Sequence, residues 1–199
     1  MNEKNNQDTI RSARIDPLFY ESTTGKPFNR CISCDRNLLG KGVSYMIEKA
    51  VKQYKDFSTT DTIFEYALCM DCYEEIAQGM SETSKKRISE YYETHVDFEK
   101  RRHQLIKKPE LVPDEWLETC LITGTRREQL SEYQIMCQCL GDQILYYNLP
   151  ILIGESAMDE MIQLLSNKTL GEMGKFKDKF LGVPPELKDL FDDRKILIL

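Results

Sequence analysis

Cys31-Ile-Ser-Cys34 and Cys69-Met-Asp-Cys72 are the stretches that decide the fold: two CxxC pairs with 34 residues between Cys34 and Cys69. Two residues between cysteines let the backbone turn tightly and aim both sulfurs at one ion. Two such turns supply four thiolates, the donor set of tetrahedral Zn²⁺ with Zn–S bonds of ~2.3 Å. Soft sulfur donors also admit iron, but zinc is the ordinary intracellular reading. Four thiolates close the coordination sphere, whereas a catalytic zinc keeps a position for water. Cys31, Cys34, Cys69 and Cys72 are therefore the expected ligands of one structural Zn²⁺.

The gap between the pairs must hold structure of its own. Residues 43–54 carry Met46, Ile47, Ala50, Val51 and Tyr54 at helical spacing, which predicts a helix there. Residues 62–69, TIFEYALC, are β-branched and aromatic and predict a strand. Residues 69–80, CMDCYEEIAQGM, read as a ligand turn running into a helix. The N-terminal dipole of that helix favours thiolate over thiol. A cysteine knuckle, an incoming strand and two last ligands at a helix N-terminus together resemble the treble-clef group of zinc folds, over residues 27–80. The resemblance implies a zinc-stapled unit and no particular activity, because the group hosts many unrelated functions. The long gap departs from the compact pattern and leaves a zinc-ribbon topology open.

Working outward, residues 1–26 are polar and without period and read as a flexible N-terminal arm. Ile15, Leu18, Phe19 and Tyr20 are the residues that could pin it to the body. Residues 27–109 read as the zinc-binding unit plus a long helix over 81–107. Ser81 or Thr83 can cap that helix, Ile88, Tyr91, Tyr92, His95, Phe98 and Leu105 form its apolar stripe, and Pro109 ends it. Residues 110–199 read as an acidic α+β unit. Strands are expected over 131–137 and 143–147, helices over 155–166, 169–180 and 185–191, and the ILIL end as an edge strand or docked tail. The expected fold class is α+β.

The second unit carries an echo of the first. Glu65-Tyr-Ala-Leu-Cys-Met-Asp-Cys72 aligns without gaps on Glu132-Tyr-Gln-Ile-Met-Cys-Gln-Cys139, and Cys31-Ile-Ser-Cys34 on Cys120-Leu-Ile-Thr123. The match is short enough to arise by chance. Taken as a repeat, it predicts a degenerate, metal-free copy that holds Cys120 and Cys139 near one another. The rival reading gives Cys120, Cys137 and Cys139 a second zinc, with His95 or His103 reaching across.

Composition bounds the rest. The chain has 199 residues, 41% hydrophobic and 30% charged, which places it in the folded class. Its longest apolar runs, such as residues 149–153, fall far short of the ~20 residues that span a bilayer, so no membrane partner is expected. Seven cysteines, an odd number with no secretory signal, argue for a reduced, cytoplasmic protein rather than a disulfide framework. Net charge is +1 over residues 1–109 and −7 over 110–199. With a pI of about 5.1, the chain lacks the basic balance usual for a dedicated nucleic-acid binder.

Several zinc chemistries fail on inspection. No histidine occurs in residues 1–94, where a nuclease built on such knuckles would need one. Neither His95-Val-Asp nor His103-Gln-Leu is the HxE of a nucleobase deaminase, and no proline precedes either CxxC. HExxH, GxxxxGK[ST] and GxGxxG are also missing from the chain. His95 and His103 stand eight apart on the expected helix, ~80° around its axis, and are poorly placed as joint ligands. No catalytic residue is assigned. The leading expectation is a non-catalytic zinc module that recognises another protein. A nucleic-acid binder is the alternative, using Lys26, Arg30, Arg36 and Lys41 around the first knuckle and Lys100, Arg101, Arg102, Lys107 and Lys108 further on. An enzyme with an unrecognised site in the second half is the remaining one.

Overall fold

The computed structural model describes residues 10–182. Its strands are β1 (Arg11–Arg14), β2 (Ser44–Tyr54), β3 (Thr59–Cys69), β4 (Glu132–Leu140), β5 (Gln143–Tyr146) and β6 (Ile151–Gly154). Its helices are α1 (Met70–Gly79), α2 (Glu82–His95), α3 (Phe98–Ile106), α4 (Pro113–Trp116), α5 (Glu155–Gln163) and α6 (Asn167–Phe180). The fold is α+β, as the sequence predicts. The helix expected over 185–191 and the ILIL end lie outside the described residues.

One antiparallel sheet carries both halves of the chain, in the order β1-β5-β4-β2-β3, with β6 also paired to β4. The seam between the halves is the β2–β4 pair, where Glu48 lies opposite Met136. Alternation along the strands sorts the faces. On one face Tyr45, Ile47 and Lys49 stand beside Cys69, Ala67 and Glu65 of β3 and Cys139, Cys137 and Ile135 of β4. The cysteine knuckle sits on this face. The other face carries Met46, Glu48 and Ala50 with Leu68, Tyr66 and Phe64. Tyr66 meets Phe176 of α6 edge-on, ring centroids 5.2 Å apart, so the helices cover this second face.

Four expectations are corrected. Residues 43–54 form a strand, not a helix. Tyr45 through Ala50 are all buried, because β2 lies between β3 and β4 with both faces covered. A strand buried on both faces reads as a continuous run rather than an alternation, and so imitates helical spacing. Its two buried charged residues are partnered in place: Lys49 Nζ lies 3.0 Å from Glu65, and Glu48 accepts a short hydrogen bond from the Tyr66 hydroxyl.

The helix expected over 81–107 is two helices. Val96 is extended (φ −127°, ψ 118°), and Asp97 caps α3 by accepting the Lys100 N–H at 2.8 Å. The break lets Arg101 turn onto the body. From Arg11 onward, the segment expected as an arm is part of the sheet, since β1 pairs with β5, and Ile15 and Phe19 are buried. Finally, residues 151–154, within the apolar run that suggested no element, form β6 in the interior. Residues 132–140 correspondingly form a central strand that turns at Gly141 into β5, with no helix following. The alignment of Glu132–Cys139 on Glu65–Cys72 therefore does not stand.

Candidate metal centre

The first pair is shaped by a knuckle. Cys31 N–H donates to Arg36 O at 3.0 Å and Asp35 N–H to Cys31 O at 2.9 Å, with Asp35 in the left-handed region (φ 58°). The knuckle is fixed to the sheet by Ile32 N–H donating to Ala67 O at 3.0 Å. This places Cys31 beside the end of β3, where the Cys69 N–H points at its Sγ from 3.4 Å.

The second pair comes from the strand-to-helix junction. Cys69 ends β3 and is the N-cap of α1, and Cys72 lies in the first turn. The unpaired N–H groups of that turn carry the positive end of the helix dipole and suit thiolates. The structure brings all four expected ligands together: the Sγ atoms of Cys31, Cys34, Cys69 and Cys72 lie within 4.8 Å of one another. Cys34 and Cys69 are 3.6 Å apart. Tetrahedral sulfurs at ~2.3 Å from one ion stand ~3.8 Å from each other, so the cluster has the size to hold a metal ion. Cys31, Cys69 and Cys72 are buried and Cys34 is exposed.

The thiols answer to burial and to backbone donors. Burial pushes Cys31 up, but N–H groups of Cys69, Cys34 and Ser33 outweigh it and bring the thiol down to about 7. Burial raises Cys69 and Cys72, and neighbouring sulfurs add to the rise at Cys72. A bound cation reverses this balance by stabilising every thiolate at once. Beside the centre, Arg36 meets Asp71 at 2.6 Å, tying the knuckle to the first turn of α1. Asp71 is a residue that the spacing argument passed over. It fills one of the two positions between the cysteines of the second CxxC, and its only sequence signal is an acid in a helix first turn.

The other cysteines do not join. The Cys120 thiol accepts the Gly154 N–H at 3.3 Å. Cys137 and Cys139 lie on one face of β4, sulfurs 3.7 Å apart, both fully buried. Gly154 pairs with Tyr133, and Cys139 is six residues further along β4, or ~20 Å at the rise of a strand. Cys120 and Cys139 are therefore not neighbours, contrary to the expected repeat. Among the described residues, no ligand cluster includes Cys120, Cys137, Cys139, His95 or His103. His95 lies against its own helix, with Nδ1 2.8 Å from Tyr91 O. No described helix is long and apolar enough to cross a membrane. No protein-family model, curated protein or solved structure matches the chain.

Proposed function

We propose that the chain is a zinc-stapled recognition module for another protein, with a treble-clef-like unit organised by Cys31, Cys34, Cys69 and Cys72. The supporting observation is the four-sulfur cluster within 4.8 Å. Its donors are all thiolates and number as many as tetrahedral zinc takes, which leaves no position for a reacting water. The succession of knuckle, β2–β3 hairpin and ligand turn at the start of α1 follows the treble-clef order. The centre then acts as a staple, and function lies in the surface it holds.

Protein recognition is favoured over nucleic acid by the engagement of the cations. Arg101 donates to the carbonyls of Asn148, Trp116 and Pro150 at 3.0, 2.9 and 2.8 Å and lies over the Trp116 ring. Arg102 lies over the Tyr147 ring, and Lys108 pairs with Glu115. Arg30 and Arg36 pair with Asp35 and Asp71. Of the residues that could have formed a phosphate patch, most already have partners. The end of the β2–β3 hairpin instead offers an apolar contact, with Phe57 79% exposed. An enzyme reading finds a cleft of about 370 Å³ in the second half, lined by Asp114, Glu115, Glu118, Arg126, Arg127 and Glu128. Both of its arginines are paired within the lining, Arg127 with Asp114 at 2.9 Å and Arg126 with Glu128 at 3.6 Å, and no thiol, hydroxyl or imidazole lines it.

The test pairs metal content with binding. Zinc-loaded protein should carry one ion per chain and show no saturable binding to DNA or RNA oligomers at low ionic strength. Affinity that falls steeply with added salt would establish phosphate binding and overturn the protein-recognition reading.

A further inference from the structure

We infer that residues 28–95 and 117–180 are two copies of one unit, and that Cys120, Thr123, Gly154 and Ala157 are its second metal site, now closed, which takes a tetrahedral thiophilic cation again when the missing sulfurs are restored. The inference rests on the first site being a metal site.

The second knuckle repeats the first bond for bond. Cys120 N–H donates to Thr125 O at 2.8 Å and Gly124 N–H to Cys120 O at 2.9 Å, as Cys31 N–H does to Arg36 O and Asp35 N–H to Cys31 O. Gly124 takes a positive φ of 69°, matching Asp35 at 58°. The bridge Thr119↔Arg126 stands where Arg30↔Asn37 stands. Arg127 N–H to Glu118 O, 2.8 Å, matches Leu38 N–H to Asn29 O, 3.0 Å. Every one of these pairs is separated by the same number of residues.

The anchoring repeats as well. Leu121 N–H donates to Leu152 O of β6 at 2.8 Å, as Ile32 N–H does to Ala67 O of β3. Gly154 N–H points at Cys120 Sγ from 3.3 Å, as Cys69 N–H points at Cys31 Sγ from 3.4 Å. Gly154 is the N-cap of α5 as Cys69 is of α1, which puts Ala157 where Cys72 stands. Across the sheet Tyr133 pairs with Gly154 and Ile135 with Leu152, as Tyr45 pairs with Cys69 and Ile47 with Ala67.

The two copies face each other about a pseudo-twofold axis. β2 and β4, the equivalent strands, pair antiparallel, and the equivalent residues Glu48 and Met136 lie opposite one another. α2 and α6, both of 14 residues, are N-capped by Ser81 and Ser166. They also complete each other: Ser81 N–H donates to Thr169 Oγ1 at 3.0 Å, and Ser166 N–H to Ser84 Oγ at 2.9 Å. A reciprocal contact of this kind is what an isologous dimer makes. Here it lies within one chain.

What separates the copies is sulfur. Thr123, Gly154 and Ala157 replace three of the four ligands, and an aliphatic side chain closes the space. A Cβ built on Gly154 would stand 2.7 Å from Leu130 Cδ2, so Leu130 occupies the volume a ligand side chain there would need.

The test is a quadruple variant, Thr123→Cys, Gly154→Cys, Ala157→Cys and Leu130→Ala, in the full chain. Zinc is counted by mass spectrometry and Co²⁺ binding is followed by its thiolate charge-transfer absorption. Two ions per chain are expected, against one in the unaltered protein, with a return to one when Cys120→Ser is added. A folded variant that holds only one ion overturns the copy while leaving the first site intact. No ion in either protein overturns both readings. Should the quadruple variant not fold, Ala157→Cys alone decides. The introduced thiol should lie as near Cys120 as Cys72 lies to Cys31. Diamide should then oxidise the two thiols to a disulfide, being itself reduced to the hydrazide, and peptide mass mapping would identify the bridge. Failure of that cross-link, in folded protein under conditions that join exposed thiols, overturns the proposal.

Discussion

Cys34 is the exposed corner of a cluster whose other three sulfurs are buried, and that difference predicts unequal substitutions. Cys31→Ser and Cys72→Ser should abolish metal binding and unfold residues 28–79, because a structural zinc contributes an apparent ~10–16 kcal/mol to folding in small units. Cys34→Ser should keep weakened binding, since water can reach the vacated corner. Metal content after gel filtration and chelator-dependent circular dichroism separate the two outcomes, and equal loss at all positions would contradict the geometry. This four-cysteine cluster was legible in the sequence because CxxC is a local instruction: the turn that aims two sulfurs lies within four residues. Gly154 was not legible, since its need for a hydrogen side chain comes from Leu130, distant in sequence. Gly154→Ala should cost about 1–3 kcal/mol through overpacking against Leu130. Most of that cost should disappear when Leu130→Ala is already present, and denaturant unfolding of the double-mutant cycle reads the coupling. Additive losses would mean that Leu130 is not the obstacle.

At the scale of elements, spacing failed where both faces of a strand are covered. The strand of residues 62–69 was legible from TIFEYALC, and helices were expected where α1, α5 and α6 stand. β2 was misread because its burial on both faces is a property of the sheet that receives it, not of its own eleven residues. The break between α2 and α3 had a local signal in Asp97, an N-cap residue inside an otherwise continuous stripe. The crossed caps of α2 and α6 had none, since each half is completed by the other. Thr169 is fully buried and accepts the Ser81 N–H, and its hydroxyl donates to Ser84 at 2.9 Å. Thr169→Val keeps the shape and leaves those groups without this partner, which should cost about 1–3 kcal/mol. Ser166→Ala, which removes the cap of α6, should cost about 1 kcal/mol. Equilibrium unfolding of both variants checks the values. A neutral Thr169→Val would show that the reciprocal contact does not hold the helices together.

For the molecule as a whole, half of the internal repeat was legible. Cys120-Leu-Ile-Thr123 does stand where Cys31-Ile-Ser-Cys34 stands, because a knuckle is short and self-contained. The second half of the match was misplaced onto β4, because Gly154 and Ala157 no longer resemble the cysteines they replace. The sheet that joins the copies also buries tyrosines along its length, and these set the alkaline limit of the fold. Tyr45, Tyr66 and Tyr146 are at most 2% exposed. Burial raises each phenol above its ordinary value, helped by Glu48 at Tyr66 and by Cys137 and Cys139 at Tyr45 and Tyr146. Tyr45 donates to Gly141 O at 2.9 Å and Tyr66 to Glu48, so both hold their protons in hydrogen bonds that ionisation would break. The unfolded chain releases the same protons at ~10. Above that pH the native state binds more protons than the unfolded state, so stability falls as pH rises. Below it both states are protonated and the three residues contribute no slope. Each raised phenol costs ~1.4 kcal/mol per pH unit, or about 4 kcal/mol per unit for three. A domain of ordinary stability, ~5–15 kcal/mol, should therefore unfold within a few pH units above 10. Burial raises Tyr73, Tyr91, Tyr92 and Tyr133 in the same direction, so most of the tyrosinate absorbance should appear only with loss of the circular dichroism signal. Ionisation of every tyrosine near 10 with the fold intact would contradict the burial of this sheet.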